Sequence, residues 1–196
     1  GRQGVLPWGN VGTHLYVELD GALDPARLER AWQRMMARHE MLRAVILPLG
    51  EQQILEQPPP YRLPVVDLRG VPGLVQQATL DRERRRMSTS VPPIDGWPHF
   101  ELLLHLLDDG RTRLHVNLDM ILIDAFSIDL LFKDWGKFYD DPEQVLPPIA
   151  VSFRDYVVAE AAIIRDSDAA RRSEEYWAER IPTLPPPPQL PASLAP

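Results

Sequence analysis

The sequence predicts an α+β domain in which helices cover a mostly antiparallel sheet. Three observations carry this. Residues 100–107 and 111–118 are apolar runs on either side of Asp108-Asp109-Gly110, a strong hairpin signal. Leu28, Ala31, Trp32, Met35 and Met36 recur at helical spacing, which predicts an amphipathic helix over Pro25–Arg38. A second helix fits residues 127–139, with Leu130, Leu131, Trp135 and Phe138 on one face.

The remaining elements follow in chain order. Residues 11–18 alternate as a strand, Leu15 and Val17 to one side, Tyr16 and Glu18 to the other. Asp20-Gly21 predicts a turn, Asp24 an N-cap, and Pro25 occupies the favoured first helical position. Residues 43–48 and 52–57 read as a strand pair joined through Leu49-Gly50, and Pro58-Pro59-Pro60 closes that unit. A short strand fits residues 63–68 and a helix residues 74–87. Its run Arg82-Glu83-Arg84-Arg85-Arg86 reads as a solvated helix face. Pro92-Pro93 and Asp95-Gly96 mark a loop, and Asp141-Pro142 and Pro147-Pro148 a linker. Ser152 caps a helix over Phe153–Arg165, and another runs from Asp168 through Trp177 to Arg180. Residues 182–196 hold seven prolines and read as an extended linker.

Composition narrows the function. A chain of 196 residues buries a core without staples. It has no cysteine, which removes disulfides, Cys-ligated zinc, iron–sulfur clusters and a cysteine nucleophile. Its 28 acidic against 21 basic residues, a net charge of −7, argue against a nucleic-acid partner. No apolar run has the length of a membrane span or a signal-peptide core, so the expectation is a cytoplasmic protein without a membrane partner. The chain begins at Gly1 rather than Met, which suggests a piece of something longer.

No phosphate-binding loop, GxGxxG, HExxH or GxSxG is present. The histidines at 14, 39, 99, 105 and 115 do not form a metal-ligand spacing, although His105 and His115 can meet across the hairpin. No metal and no resident cofactor are expected. The informative segment is Asp119-Met120-Ile121-Leu122-Ile123-Asp124-Ala125-Phe126-Ser127. Continuing the strand through its four apolar residues draws two carboxylates toward the interior or a cleft. A buried carboxylate needs a partner or hydrogen bonds. By pattern alone, a strand-end acid followed by a helix N-cap at Asp124 accounts for both residues.

The spacing Asp119-xxxx-Asp124-xx-Ser127 resembles the DxxxxDxxS signature of heterocyclization domains of nonribosomal peptide synthetases. These belong to the condensation-domain superfamily, whose ordinary members carry HHxxxDG there. Asp119 stands at the first His, Met120 at the second, and Ala125 replaces the Gly. Three more segments agree in order and spacing. Arg38-His39-Glu40-Met41-Leu42-Arg43 resembles the RHxML motif, and Gly1-Arg2 the tail of the opening QxAYxxGR motif. Tyr176-Trp177, Ile181 to Pro185 and Gln189-Leu190-Pro191 resemble the LPxxPxLP stretch.

The resemblance implies a chloramphenicol-acetyltransferase-like fold. It implies that residues 1–181 form an N-terminal lobe and residues 182–196 a linker to an absent C-terminal lobe. The activity implied is condensation of a carrier-bound acyl or peptidyl thioester with a carrier-bound Cys, Ser or Thr, then cyclodehydration to a thiazoline or oxazoline. Substrates would ride on phosphopantetheine arms. The partners implied are the C-terminal lobe, upstream and downstream carrier proteins and an adenylation domain. Asp119, Asp124 and Ser127 become the candidate catalytic residues, Asp119 facing the reaction channel. Asp124 is expected in a partly buried salt bridge with Arg43. Two other readings stay open: a non-catalytic lobe that docks carriers, and an HxxxD acyltransferase in which His115, four residues before Asp119, is the general base.

Overall fold

The structure, a computed structural model, describes residues 13–93, 96–165 and 167–186. It divides into two compact units, residues 1–149 and 150–196. In the first, β1 (His14–Gly21) leads to α1 (Pro25–Arg38) and the short strands β2 (Ala44–Ile46) and β3 (Gln52–Ile54). Then come β4 (Val65–Asp67), α2 (Gly73–Thr89), the hairpin β5 (Phe100–Leu106) and β6 (Thr112–Asp119), and α3 (Ala125–Asp140). The main sheet has the order β1-β6-β5-β4. It is antiparallel except where β4 runs parallel to β5, and β2 and β3 form a separate antiparallel ribbon. The predicted α+β class, helices on a mostly antiparallel sheet, is the one observed.

Alternation along the strands gives the sheet two unlike faces. Phe100, Leu102 and Leu104 of β5 and Leu114, Val116 and Leu118 of β6 face one way. They pack against Leu28, Trp32 and Met35 of α1 and Leu131, Trp135 and Phe138 of α3. Trp32 lies at the centre, fully buried, its ring 5.0 Å from Phe100 and 4.6 Å from Trp135. The other face is mostly polar: Tyr16, Glu18 and Asp20 on β1, Arg113, His115, Asn117 and Asp119 on β6, Glu101 and His105 on β5, with Leu103 the apolar exception among these positions. The helix α2 is tied to this face by Arg84 to Glu18, Arg86 to Glu101, and Asn117 to the Met87 carbonyl. In the arginine run of α2, Arg82, Arg84 and Arg86 are thus engaged in ion pairs at the surface, in keeping with the solvated-face reading.

Local chemistry explains most boundaries. Asp24 accepts from the Arg27 N–H at 2.7 Å, capping α1 as expected. At the hairpin tip Asp109 and Gly110 take positive φ, +58° and +70°, which Gly110 adopts without steric cost. One prediction needs correction here. Asp20-Gly21 does not turn: Gly21 pairs with Thr112, whose hydroxyl donates back to the Gly21 carbonyl, so β1 continues to Gly21. The linker expected around Asp141-Pro142 and Pro147-Pro148 is irregular, as read, and three arginines of α1 hold its path. Arg27 donates to the Tyr139 and Asp140 carbonyls, Arg34 to those of Pro142 and Gln144, and Arg38 to that of Pro147.

The second unit contains α4 (Phe153–Arg165) and α5 (Asp168–Arg180), both as predicted. Ser152 and Ser167 cap them by accepting from the N–H groups of Asp155 and Ala170. Within the proline-rich stretch, Ile181–Thr183 forms one 3₁₀ turn. The motif residues Gly1-Arg2 and Gln189-Leu190-Pro191, and Asp95 of the predicted loop, lie outside the described residues.

Candidate functional site

The sequence-predicted residues gather at the turn from β6 to α3. Asp119 is the last residue of β6, opposite His14 of β1, and is 1% exposed. Its backbone N–H donates to the His99 carbonyl at 3.0 Å. Its carboxylate Oδ1 accepts from the Ile121 N–H at 3.1 Å, and its carbonyl accepts from the Leu122 N–H. These bonds fold residues 120–122 into a turn. The expectation that the strand runs on through residues 120–123 is therefore corrected: Leu122 is buried, while Met120, Ile121 and Ile123 are partly so.

Asp124 follows as the N-cap of α3. Its Oδ1 accepts from the Ser127 N–H at 2.7 Å, and the side chain is exposed. The Ser127 N–H, with a smaller contribution from the Ser127 hydroxyl, holds the Asp124 carboxyl below the usual carboxylate range. Asp124 is thus the N-cap of α3, as the pattern-based reading had it, and Ser127 supplies the N–H it accepts.

The salt bridge expected between Arg43 and Asp124 is not formed. The Arg43 guanidinium donates instead to the Met36 carbonyl at 2.9 Å and the Leu55 carbonyl at 2.8 Å. It ties the end of α1 to the exit of β3. The premise fails for a physical reason: Asp124 stays in water, so its charge needs no buried partner, and the helix terminus stabilises the carboxylate.

The neighbouring motif segment also has a packing role. Arg38 and His39 at the end of α1 both reach Asp134 of α3, at 3.0 and 3.2 Å, and Lys137 contacts its other oxygen. Asp134 carries no signal in the sequence beyond its helical position; only the packing of α1 on α3 reveals it.

His115 lies mid-strand beneath α2 and is fully buried. Its Nδ1 is 2.7 Å from the Tyr16 hydroxyl, which donates to Glu18 Oε1, also at 2.7 Å. That hydroxyl has one proton, so Nδ1 carries the hydrogen toward it and Nε2 is bare. The His105 ring meets His115 edge-on at 4.9 Å, the cross-hairpin encounter the sequence allowed. Burial, then the neighbouring His105, pushes the His115 imidazole down to about 4. The Arg84 guanidinium holds the Glu18 carboxyl at about 2. Four residues of extended chain separate His115 from Asp119 by ~13 Å. A sealed histidine that far from its partner does not make an HxxxD general base, and that reading is set aside.

Sequence reasoning missed Asn117 as well. It is 1% exposed, and its Nδ2 donates to the Met87 and Ser90 carbonyls. Its signal was available: period-two alternation puts His115, Asn117 and Asp119 on one face of β6. A cavity of about 330 Å³ opens at the edge of β5, between Tyr61, Pro64, Ser90, Pro92, Pro98 and Leu102. Among the described residues no three His, Asp or Glu side chains converge as a metal-ligating set. No described helix is long and apolar enough to cross a membrane.

Comparison with known proteins adds the following. The condensation-domain family matches residues 12–196. Pyochelin synthetase PchF of Pseudomonas aeruginosa is 38% identical over 200 residues, covering 100% of this chain and 11% of the relative. Phenyloxazoline synthase MbtB of Mycobacterium tuberculosis is 41% identical over 204 residues, covering 97% of this chain and 13% of the relative. The crystal structure of the EpoB cyclization-docking bidomain of a nonribosomal peptide synthetase from Sorangium cellulosum superposes with a TM-score of 0.84. The two are 39% identical, over 93% of this chain and 36% of that one. The chain thus spans about a tenth of the length of the curated relatives it matches.

Proposed function

The chain belongs to the condensation-domain family, and on that premise we propose that it is the N-terminal lobe of a heterocyclization domain of a nonribosomal peptide synthetase. The observation that carries this reading is the segment from Asp119 to Ser127. Two aspartates and a serine stand there at the cyclization spacing, at the end of β6, in a chain 39% identical to a cyclization domain. Residues 1–181 are the lobe, and the proline-rich residues 182–196 lead to a C-terminal lobe that completes the domain.

In this reading an acyl or peptidyl group arrives as a thioester on the phosphopantetheine arm of an upstream carrier protein. The amine of a Cys, Ser or Thr, selected by an adenylation domain and held on a downstream carrier, attacks the thioester carbonyl. The amide forms and the carrier thiol leaves. The side-chain thiol or hydroxyl then attacks the new amide carbonyl, and loss of water gives a thiazoline or oxazoline. Both steps rest on orientation and proton transfer. The domain works in the cytoplasm with no resident cofactor.

The geometry favours positioning roles in this chain. Asp119 bonds the turn after β6 from a buried site, and Asp124 with Ser127 fixes the start of α3. Together they hold the loop that the family uses in the reaction.

The test is the full-length polypeptide loaded with donor and acceptor carriers, with products released and weighed by mass spectrometry. A product lighter than the linear amide by one water is expected from the wild type. Asp124→Ala should lower ring formation at least about tenfold. Unchanged ring formation by Asp124→Ala would favour a lobe that only docks carriers, and a linear amide alone from the wild type would sink the heterocyclization reading.

A further inference from the structure

Asn117 stands two residues before Asp119 on the same face of β6, about 7 Å along the strand. Its side-chain amide donates to two backbone carbonyls, Met87 at 3.1 Å and Ser90 at 3.0 Å. Both belong to the C-terminal end of α2, where the last turn leaves carbonyls that the helix itself does not satisfy. A residue of the sheet therefore caps the helix lying over it. On the same strand, the Asp119 N–H donates to the His99 carbonyl, just before β5. The end of α2 and the start of β5 are thus fastened to two residues of β6, Asn117 and Asp119, on the same face. Ser90 and the two residues that follow it, Val91 and Pro92, line the 330 Å³ cavity at the β5 edge.

We propose that Asn117 is a positioning residue for the reaction of this lobe. It locks the C-terminal end of α2 to the strand end that carries Asp119, so that the turn into α3 and the segment after α2 move as one body. The choice of residue follows from donor count. Two carbonyls need two donors from one buried side chain, and the asparagine amide supplies both from one nitrogen. Serine or threonine supplies one. Aspartate sets a negative charge against two carbonyl oxygens. Alanine leaves the buried Met87 carbonyl and the partly buried Ser90 carbonyl without this partner. The catalytic half of this inference rests on the heterocyclization reading; the mechanical half does not.

Two measurements separate the halves. The first is amide hydrogen exchange on this chain. Asn117→Ala should speed exchange in peptides covering residues 86–93, Asn117→Thr less so, with the α1 peptides unchanged. Equal exchange at residues 86–93 in wild type and Asn117→Ala would overturn the lock. The second is steady-state ring formation by the full-length polypeptide. Asn117→Ala should lower kcat about tenfold with KM for the carrier-bound acceptor kept within about twofold, and Asn117→Thr should recover part of the loss. An unaltered kcat in a variant whose exchange is faster would overturn the positioning role. If Asn117→Ala does not fold, Asn117→Thr bears both comparisons. If the wild type makes only the linear amide, the heterocyclization reading falls, and kcat for amide formation then decides Asn117.

Discussion

The two faces of the main sheet hold their helices by different physics. Under α1 and α3 the face is apolar, closed around Trp32, Phe100 and Trp135 by burial and shape. Under α2 the face is polar, and the helix is held by directed contacts: Arg84 on Glu18, Arg86 on Glu101, Asn117 on two carbonyls. The first kind of contact is insensitive to pH and tolerates rearrangement poorly, because interiors are close-packed. The second depends on charge state and on donor geometry. The candidate residue Asp119 belongs to the second face, so the end of β6 that carries it is set by polar fastening over an apolar foundation.

That contrast can be broken in graded steps. The largest loss is expected from Trp32→Ala, which empties the centre of the apolar face and should cost ~3–5 kcal/mol in urea unfolding. A smaller effect, confined to acid, is expected on the polar face. The His115 imidazole sits at about 4 when folded, below its ordinary 6.5, so the unfolded chain takes up the proton first. The contribution of that neutral imidazole is whole above about 6.5 and is lost as the pH falls toward about 4. Its slope approaches ~1.4 kcal/mol per pH unit. His115→Leu should flatten this limb, and an equally steep limb in the variant would remove the histidine as its source. Smallest is Arg86→Ala. Its contacts to Glu83 and Glu101 are near the surface, and the loss should stay within ~1 kcal/mol and shrink further in high salt.

The same contrast explains how much was legible beforehand. The apolar face was readable because its signal is periodic. The spacing of Leu28, Trp32 and Met35 placed α1 with both ends correct, and the runs around Asp108-Asp109-Gly110 gave the hairpin. The N-cap at Asp124 was readable because capping is local. What failed was long-range and polar. The Arg43–Asp124 pair assumed that Asp124 was buried, yet it is exposed, and Arg43 finds carbonyls of Met36 and Leu55 instead. Asn117 went unremarked because an asparagine in a strand declares nothing until the helix above it is placed. The turn at residues 120–122 was misread as strand because apolar residues hide the backbone bonds that Asp119 draws from Ile121 and Leu122.

The strap on α1 has a consequence for sequence variation. Arg27, Arg34 and Arg38 grip the main chain of residues 139–147 by its carbonyl oxygens. Every residue type offers the same oxygen. At Asp140, Pro142, Gln144 and Pro147 these bonds therefore place no demand on the side chain, whereas Tyr139 and Leu146 are also held by packing against the core. The instruction for where this stretch runs is written about a hundred residues upstream, in a helix that completes its own turns before the stretch is reached.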